Sequence, residues 1–379
     1  MLTVDNPESA GLDVDRWHSA LDLVRNWCRD DQVPAAGLLV ARSGKTTGVH
    51  LFGRQSLSPD SAPIREDAIF LAASITKPVV ATAVLQLIER GVIVLDDRVV
   101  DSVSEFGAKG KHDVTIRHLL THTSGLPVSL SNNSDLKAAQ APLSAFVKCT
   151  CEVGLEFPSG SNVQYSDLGF CVLGELLARV TGKPCGQVLR HEIFVPLGMT
   201  STVLGAPDSW FNGPNPIADQ ITEVRLPPNQ HDRPEYDWNS RYQRMLGSPW
   251  GSLLTTPADL GNFALMWLNG GLFGTKRLLS GLTVEAATNN QLAHMPTLPK
   301  AVRRCEPRGL AWWLSWPGSS MVIGDLAGPR MYGHWGTSGT VISIDPDRDA
   351  LVVFLTTQSQ TADGPYLPRM CNAIAAAML

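Results

Sequence analysis

Segments with β-strand character lie near both ends of this chain, and a long helical stretch separates them. Residues 35–41 and 48–52 are apolar and joined by the turn Arg42-Ser43-Gly44-Lys45, which predicts an antiparallel hairpin. Short β-rich runs return between residues 310 and 356, and a final helix is expected from about Leu367. Strands from the two ends can pair into one sheet, so the sequence predicts an α/β (α+β) fold, with an antiparallel sheet flanked by helices and an inserted, mostly helical domain.

The domain boundaries follow from this pattern. A chain of 379 residues is long for one hydrophobic core, so we expect two domains. Residues 1–72 and 252–379 would form the sheet domain, residues 73–251 the helical domain, and the site would lie in the cleft between them. Residues 205–250 lack periodicity and are too long for an ordinary connection. They are either an excursion that walls the site, with Trp238 and Tyr242 as lining, or a packed satellite loop.

Composition restricts the class of protein. A hydrophobic content of 44% with 18% charged residues fits an ordered globular protein, and the net charge of −5 argues against nucleic acid or an anionic membrane as partner. No run approaches the ~20 apolar residues of a membrane span. The first residues lack a basic start and an apolar core, so no signal peptide is visible and a cytoplasmic location is expected. The seven scattered cysteines are expected to be reduced, and Cys149-x-Cys151 lacks further ligands at zinc spacing, so we expect no metal and no other cofactor.

Ser74 and Lys77 are the candidate nucleophile and its partner. They stand in the apolar run Ile-Phe-Leu-Ala-Ala-Ser-Ile-Thr-Lys-Pro at 69–78, and helical periodicity follows. Ser74 is a candidate N-cap, and Pro78 would fall in the first turn, where a missing N–H costs least. Residues three apart share a helix face, so Lys77 would lie beside Ser74. A serine needs a base, and a lysine can act as one only if burial lowers its pKa.

Two other patterns are interpreted as structural. Ser134 and Lys137 repeat the Ser-x-x-Lys spacing, but residues 129–137 have a loop composition, where a solvated lysine stays protonated. His122 and Ser124 are two residues apart and need not face each other, so a role in stabilising a turn is favoured over a His–Ser pair.

Three short motifs together carry a family resemblance. Ser-Ile-Thr-Lys at 74–77 resembles the first motif of the serine β-lactamase and penicillin-binding-protein superfamily, and Tyr-Ser-Asp at 165–167 resembles its Tyr-x-Asn motif. His-Trp-Gly at 334–336 falls where the family has Lys-Thr-Gly or His-x-Gly before a strand. Further stretches are similar to the class C branch and its esterase relatives: 116–127, 157–202 and 252–263. The resemblance covers most of residues 35–360 and agrees with the fold predicted above.

The resemblance implies a mechanism for this chain. Ser74 attacks a carbonyl and becomes acylated, while Lys77 and Tyr165 share the acid and base work. A phenol ionises near pH 10, so Tyr165 would serve only with a Lys77 ammonium beside it, and the two should titrate as a unit. The oxyanion hole would use the backbone N–H groups of Ser74 and Thr337, and water would then hydrolyse the acyl-enzyme.

Departures from the family pattern narrow the substrate. The residues expected to contact it are Asp167, His334, Trp335 and Gly336. Three of them have an alternative role: Asp167 could instead cap a helix, His334 could be a hydrogen-bonded core histidine, and Trp335 could equally be core. Asp167 replaces an asparagine, so an added negative charge replaces a group that can donate. His334 replaces a lysine, and a mostly neutral imidazole holds a carboxylate poorly. Both changes favour neutral esters over β-lactams, as in family VIII carboxylesterases. The chain has no Gly-x-Ser-x-Gly, which excludes an α/β-hydrolase elbow.

The resulting prediction is a serine esterase for a small-molecule ester with a small to medium acyl group, with weak β-lactam hydrolysis as a side activity. A β-lactamase or D-amino-acid peptidase is the alternative; a secretion signal and the usual Asn and Lys would have favoured it. An acyltransferase differs only in how well water is excluded. A catalytically idle binding relative would have no reason to keep Ser74, Lys77 and Tyr165 together. The oligomeric state is not predicted.

Overall fold

The strands of the protein come from both ends of the chain. The structure is a computed structural model that describes residues 2–230, 233–305, 307–315, 323–360 and 364–379. Its strands are β1 (Thr3–Val4), β2 (Ala35–Arg42), β3 (Lys45–Gly53), β4 (Phe70–Leu71), β5 (Val203–Leu204), β6 (Leu253–Thr255), β7 (Leu272–Phe273), β8 (Lys276–Arg277), β9 (Trp313–Leu314), β10 (Tyr332–Gly336), β11 (Thr340–Asp345) and β12 (Ala350–Thr356).

Helices fill the middle of the chain and flank the sheet. They are α1 (Val14–Arg29), α2 (Thr76–Glu89), α3 (Ile116–Leu120), α4 (Asn133–Ala138), α5 (Leu143–Glu152), α6 (Asp167–Thr181), α7 (Cys185–Leu189), α8 (Val195–Leu197), α9 (Arg241–Met245), α10 (Pro257–Leu268), α11 (Gly281–Thr288), α12 (Lys300–Cys305) and α13 (Tyr366–Ala377). Residues 205–230 and 233–240 contain short 3₁₀ turns and no long element, as the lack of periodicity predicted.

The main sheet confirms the predicted pairing of the two chain ends. Across the described residues its order is β1-β3-β2-β12-β11-β10-β9, and β2 pairs antiparallel with β12. Strand β12 is buried along its whole length, which suits the continuous apolar run of a central strand. The β1–β3 pair is parallel, so the sheet is mixed rather than purely antiparallel. The α/β fold class is confirmed.

The predicted N-terminal hairpin is also confirmed, and its turn has a local cause. Arg42 pairs with Lys45, so the turn has two residues, Ser43 and Gly44, with φ of 50° and 74°. Positive φ at both positions defines the turn geometry whose twist matches that of paired strands. Glycine adopts this conformation without a Cβ penalty.

Helices cover both faces of the sheet. One face packs against α1 and α13, with Trp17 and Ile374 fully buried between them. The other face packs against α10. The hydrophobic core on this face extends into the helical region, where it includes Phe70, Val84 and Leu173. The 3₁₀ turn Ala73–Ile75, which leads into α2, lies against β10 and β11, and α2 packs against α6, so these elements meet around the candidate site. The division at residues 72 and 251 stays a prediction, because one hydrophobic cluster spans both parts.

Two local predictions are corrected. Ser74 does not cap α2; it lies in a 3₁₀ turn, Ala73–Ile75, and the residue before the helix is Ile75, which makes no side-chain cap. Residues 133–138 form helix α4 rather than loop, because a single polar turn of helix is stable once it packs against neighbouring elements. Pro78 does lie in the first turn of α2, and Gly91 follows its end with φ of 67°, both as expected.

Candidate active site

Ser74 is presented by a strained turn. Ala73, the residue before it, has φ of 47°, a left-handed conformation that costs an alanine free energy and persists only when the surroundings enforce it. The Thr76 hydroxyl donates to the Ala73 carbonyl at 2.6 Å and accepts from the Leu253 N–H at 3.0 Å, which ties the turn to β6. With no capping hydrogen bond to make, the half-buried Ser74 hydroxyl is available to a reactant.

Lys77 lies beside Ser74, as the spacing predicted. Its side chain is fully buried, and its Nζ donates to Ser74 Oγ at 3.0 Å and to the Trp250 carbonyl at 2.8 Å. The third partner is Asp167, whose Oδ1 lies 2.8 Å from Nζ. An ammonium has three N–H donors, and at least these three acceptors surround it. The geometry therefore describes a protonated lysine.

The electrostatics of Lys77 differ from what the sequence led us to expect. Burial alone would lower the pKa of Lys77, but the charges and hydrogen bonds of Asp167 and Tyr165 outweigh it and raise the pKa above its usual value. The condition for Lys77 to act alone as a base, a pKa lowered by burial, is therefore not met. Asp167 was expected to contact substrate or to cap a helix; it begins α6 and pairs with the amine of Lys77 instead.

Tyr165 completes the cluster around Ser74. The Lys77 Nζ lies 4.7 Å from the centre of its ring, and its phenol interacts with both Lys77 and Ser74. Burial raises the pKa of the Tyr165 phenol above 10, and the Asp167 charge adds to this rise, whereas Lys77 opposes it. Tyr165 is therefore a neutral phenol at rest, and the Lys77 ammonium is the group that stabilises its ionised form.

His122 holds Tyr165 in place from three sides. Its carbonyl accepts the Gln164 N–H at 2.8 Å, its Nδ1 accepts the Ser166 N–H at 3.1 Å, and its ring lies 4.5 Å from the Tyr165 ring between centroids. An accepting Nδ1 places the proton on Nε2, and burial holds the pKa of His122 well below 6.5. His122 also has φ of 59°. The sequence interpretation of a turn-stabilising role missed this contact, because residues 122 and 165 meet only in the folded chain.

The end of β10 lies directly against the turn that carries Ser74. A Cβ on Gly336 would come within 2.3 Å of the Ala72 carbonyl, so only glycine allows this approach. The Ser338 hydroxyl donates to the Leu71 carbonyl at 2.6 Å, and that of Thr340 donates to the Ala72 carbonyl at 2.9 Å. These contacts bring the exposed Thr337 close to the Ser74 turn.

The backbone N–H of Thr337 is available to a ligand. Throughout the described part of the chain it has no hydrogen-bond acceptor, although the Thr337 carbonyl accepts the N–H of Gln360 at 3.0 Å. An unpaired backbone donor beside a nucleophile is the geometry that stabilises an oxyanion.

His334 and Trp335 point to opposite faces of β10, because side chains alternate along a strand. His334 is 1% exposed, donates through Nδ1 to the Trp335 carbonyl at 2.8 Å, and lies 6.3 Å from Tyr165 between ring centroids. Burial lowers the pKa of His334 to about 3, so it stays neutral. Trp335 packs with α1 and α13 on the far face of the sheet. Trp335 therefore does not line the cleft, which corrects its assignment as a substrate contact.

Two aromatic residues of the site were missed in the sequence. Trp313 on β9 stacks on Tyr165, with 6.3 Å between the ring centroids, and meets His334 edge-on, with 6.5 Å between the ring centroids. The Arg308 guanidinium lies 3.2 Å from the centre of the Trp313 ring. Trp250 contributes a carbonyl to Lys77, a role that any residue type could fill and that therefore leaves no sequence signal. Strand β9 has only two residues, which is too few for the sequence pattern to predict that it pairs with β10.

The excursion at 205–250 packs against α4 and the residues that follow it. The Tyr242 hydroxyl donates to the Ala141 carbonyl at 2.8 Å, and Glu235 accepts from the Ser134 hydroxyl at 2.8 Å. Trp238 is half-buried in the turn before α9, and no described contact brings Trp238 or Tyr242 to Ser74. Both residues remain proposals as substrate lining. Residues 231 and 232 of this excursion lie outside the described ranges.

The sequence predicted no metal site and no membrane span. Within the described ranges, no group of His, Cys, Asp or Glu side chains is arranged to hold a metal ion, and Cys149 and Cys151 are thiols. No described helix is both long and apolar enough to cross a membrane.

Comparisons with known proteins agree with this fold. The β-lactamase family profile matches residues 20–370, so the chain belongs to the β-lactamase family of serine hydrolases. It is 27% identical to a protein of Escherichia coli (strain K12) named "Putative D-alanyl-D-alanine carboxypeptidase", over 98% of this chain and 89% of that protein. It is 36% identical to esterase EstB of Burkholderia gladioli over 51% of this chain and 53% of the esterase. The crystal structure of a family VIII carboxylesterase superposes with a TM-score of 0.76 at 21% identity, covering 97% and 99% of the two chains.

Proposed function

We propose that this protein is a serine carboxylesterase that cleaves esters of small to medium acyl groups through a Ser74 acyl-enzyme. The single observation that supports this most is the contact set of Lys77, which joins Ser74 Oγ, Asp167 and the Trp250 carbonyl in one buried cluster beside Tyr165. An idle binding protein would have no need to bury an ammonium there, because a buried charge is costly unless it is fully paired.

In this mechanism Tyr165 is the base, and the Lys77 ammonium stabilises the phenolate form in which Tyr165 can accept a proton. Tyr165 rests as a neutral phenol and reacts after it loses its proton to solvent, in the ionised form that the Lys77 ammonium stabilises. This phenolate takes the proton of Ser74 as the hydroxyl attacks the ester carbonyl, and the resulting phenol returns the proton to the departing alkoxide. Lys77 keeps its proton throughout, since Asp167 and the Trp250 carbonyl hold it as an ammonium. The N–H groups of Ser74 and Thr337 stabilise the oxyanion. In the second half of the reaction, water replaces Ser74 as the attacking group: Tyr165 takes its proton, water attacks the acyl-enzyme, and the carboxylic acid is released.

The site favours neutral carbonyl substrates over β-lactams. The ammonium of Lys77 is neutralised by Asp167, and His334 is neutral and buried, so neither is free to receive the carboxylate that penicillins and cephalosporins carry. The similarity to esterase EstB and to a family VIII carboxylesterase supports the same substrate class. A D-amino-acid peptidase is the second candidate, because the Escherichia coli relative matched over most of its length bears a carboxypeptidase name.

The experiment that tests the proposal compares two serines with identical spacing to a lysine. Hydrolysis of p-nitrophenyl acetate, butyrate and octanoate, and of a chromogenic cephalosporin, is measured for the wild type, Ser74→Ala and Ser134→Ala. We expect ester turnover that disappears in Ser74→Ala and persists in Ser134→Ala, with a much slower cephalosporin reaction. Fast cephalosporin turnover would favour a β-lactamase, and release of D-alanine from a D-alanyl-D-alanine peptide without ester turnover would favour the peptidase. Ester turnover that survives Ser74→Ala would refute the mechanism.

A further inference from the structure

A second Ser-x-x-Lys pair, at Ser134 and Lys137, stands beside the active site rather than in a remote loop. The segment that leads into α4 is hydrogen-bonded to the start of α6: the Asp167 N–H donates to the Val128 carbonyl at 3.0 Å, and the Ser166 hydroxyl donates to the Pro127 carbonyl at 2.6 Å. Helix α4 begins five residues after Val128, and the charge of Asp167 is close enough to Lys137 to oppose the lowering of the pKa of that lysine by burial. Asp167 in turn contacts Lys77, and Lys77 contacts Ser74.

The excursion fixes Lys137 from its other side. The Lys137 Nζ lies 4.7 Å from the centre of the Tyr236 ring, and the Arg233 guanidinium lies 4.5 Å from the centre of the same ring. Arg233 and Ser134 are connected by a hydrogen bond of 2.8 Å. We call the surface formed by Ser134 and Lys137 of α4 and by Arg233 and Tyr236 of the excursion the α4 wall. The contact of Lys137 with the Tyr236 ring holds its ammonium in place on this wall.

Among the residues that the structure describes, charge pairing beside α4 leaves Lys137 without a counterion. Arg233 pairs with Glu235 at 2.9 Å, and Lys77 pairs with Asp167 at 2.8 Å. Lys137 has neither a hydrogen bond nor a carboxylate within ion-pair distance among the described residues. Burial lowers the pKa of Lys137, while the charges of Asp167 and Glu235 oppose that effect. A carboxylate placed beside Lys137 would favour its charged form and complete the pairing.

We propose that Lys137 is a specificity-determining residue that binds a carboxylate carried by the ester substrate, on either its acyl or its alcohol side. This inference rests on the proposed esterase function and adds a substrate class to it: monoesters of dicarboxylic acids, or esters of hydroxy acids. The position that would hold a substrate carboxylate by family resemblance is occupied by the buried, neutral His334. Lys137 supplies a positive charge from the α4 wall instead.

The test compares charged and neutral esters of matched shape. The wild type, Lys137→Met and Lys137→Arg are assayed with mono-p-nitrophenyl glutarate and its methyl-capped neutral analogue, and with 3-carboxyphenyl butyrate and its methyl ester. The quantity compared is the ratio of kcat/KM for the charged ester to that for its neutral partner. Methionine keeps the length of the stem and removes the charge, whereas arginine keeps the charge.

We expect this ratio to fall at least about tenfold in Lys137→Met for one of the two charged esters, the size of a charge-assisted hydrogen bond, and to be largely retained in Lys137→Arg. Added salt should reduce the wild-type ratio toward that of Lys137→Met. A ratio unchanged in Lys137→Met for both esters would overturn the inference while leaving the esterase proposal intact. Absence of Ser74-dependent turnover of the neutral esters would refute the esterase proposal, and the inference with it. Lys137→Gln gives the same readout if Lys137→Met does not fold.

Discussion

The close approach of β10 to the Ser74 turn can be tested with one methyl group. In Gly336→Ala, the new Cβ would lie 2.3 Å from the Ala72 carbonyl oxygen and 3.0 Å from the Ala73 Cβ. Real Cβ contacts essentially never fall below 3.0 Å, so the two segments must separate by at least about 0.7 Å, the difference between 3.0 Å and 2.3 Å. A displacement of roughly 1 Å in a reacting geometry can cost about 100-fold in rate.

The consequence should appear in the chemical step. Separation of the two segments moves the Thr337 N–H away from the Ser74 N–H, and loss of one oxyanion donor costs about 100-fold to 1,000-fold in kcat. We therefore expect Gly336→Ala to lower kcat for p-nitrophenyl butyrate by about 100-fold. Steady-state kinetics on titrated enzyme provide the measurement, with circular dichroism and thermal unfolding to establish that the variant is folded.

A matched glycine provides the control. Gly281 is the first residue of α11, and a Cβ added there would meet nothing within 4 Å. Gly281→Ala should therefore keep the kcat of the wild type. A folded Gly336→Ala with kcat within about threefold of the wild type would refute the assignment of the β10 end to the oxyanion hole.

Three further substitutions test the electrostatics of the site. Tyr165→Phe should leave the fold intact and lower kcat by at least about 100-fold, the size of a general acid–base contribution; near-normal turnover would remove Tyr165 from the mechanism. Asp167→Asn removes the charge that raises the pKa of both Lys77 and Tyr165, so the pH at which kcat/KM reaches half its maximum should fall, and an unchanged or higher midpoint would contradict the pairing. The pKa of His334 is about 3 when folded and about 6.5 when unfolded, so between these values the unfolded chain binds the extra proton and stability falls as the pH falls. Denaturant titrations should show His334→Gln reducing this slope by up to about 1.4 kcal/mol per pH unit, and an unchanged slope would place the titration elsewhere.

The framework of the fold could be predicted because it depends on neighbours in the sequence. A two-residue turn between apolar runs specifies the β2–β3 hairpin, and helical periodicity with Pro78 and Gly91 at its ends specifies α2. The spacing of Ser74 and Lys77 fixes their contact, because residues three apart share a helix face. These features are set by sterics and hydrogen bonding within about one turn of chain.

The functional properties of particular residues could not be predicted in the same way. Trp335 and His334 are adjacent in the chain and lie on opposite faces of β10. Which of them faces the site is decided by the packing of α1 and α13 on the Trp335 side of the sheet. His122 holds Tyr165 through three contacts across 43 residues of chain, and the sequence shows only a turn. Lys137 was expected to be solvated, whereas the packing of the excursion on α4 holds its ammonium over Tyr236.

The sequence by itself determined the family and the class of fold, and it predicted a candidate nucleophile and its partners, because short motifs and periodicity are local properties. Only the tertiary structure decided how those partners are charged. Asp167 lies 90 residues from Lys77 in the chain, and its carboxylate reverses the effect that burial alone would have on the pKa of the lysine. The strength of such a pair depends on distance and on the exclusion of water, and both are fixed when the chain folds.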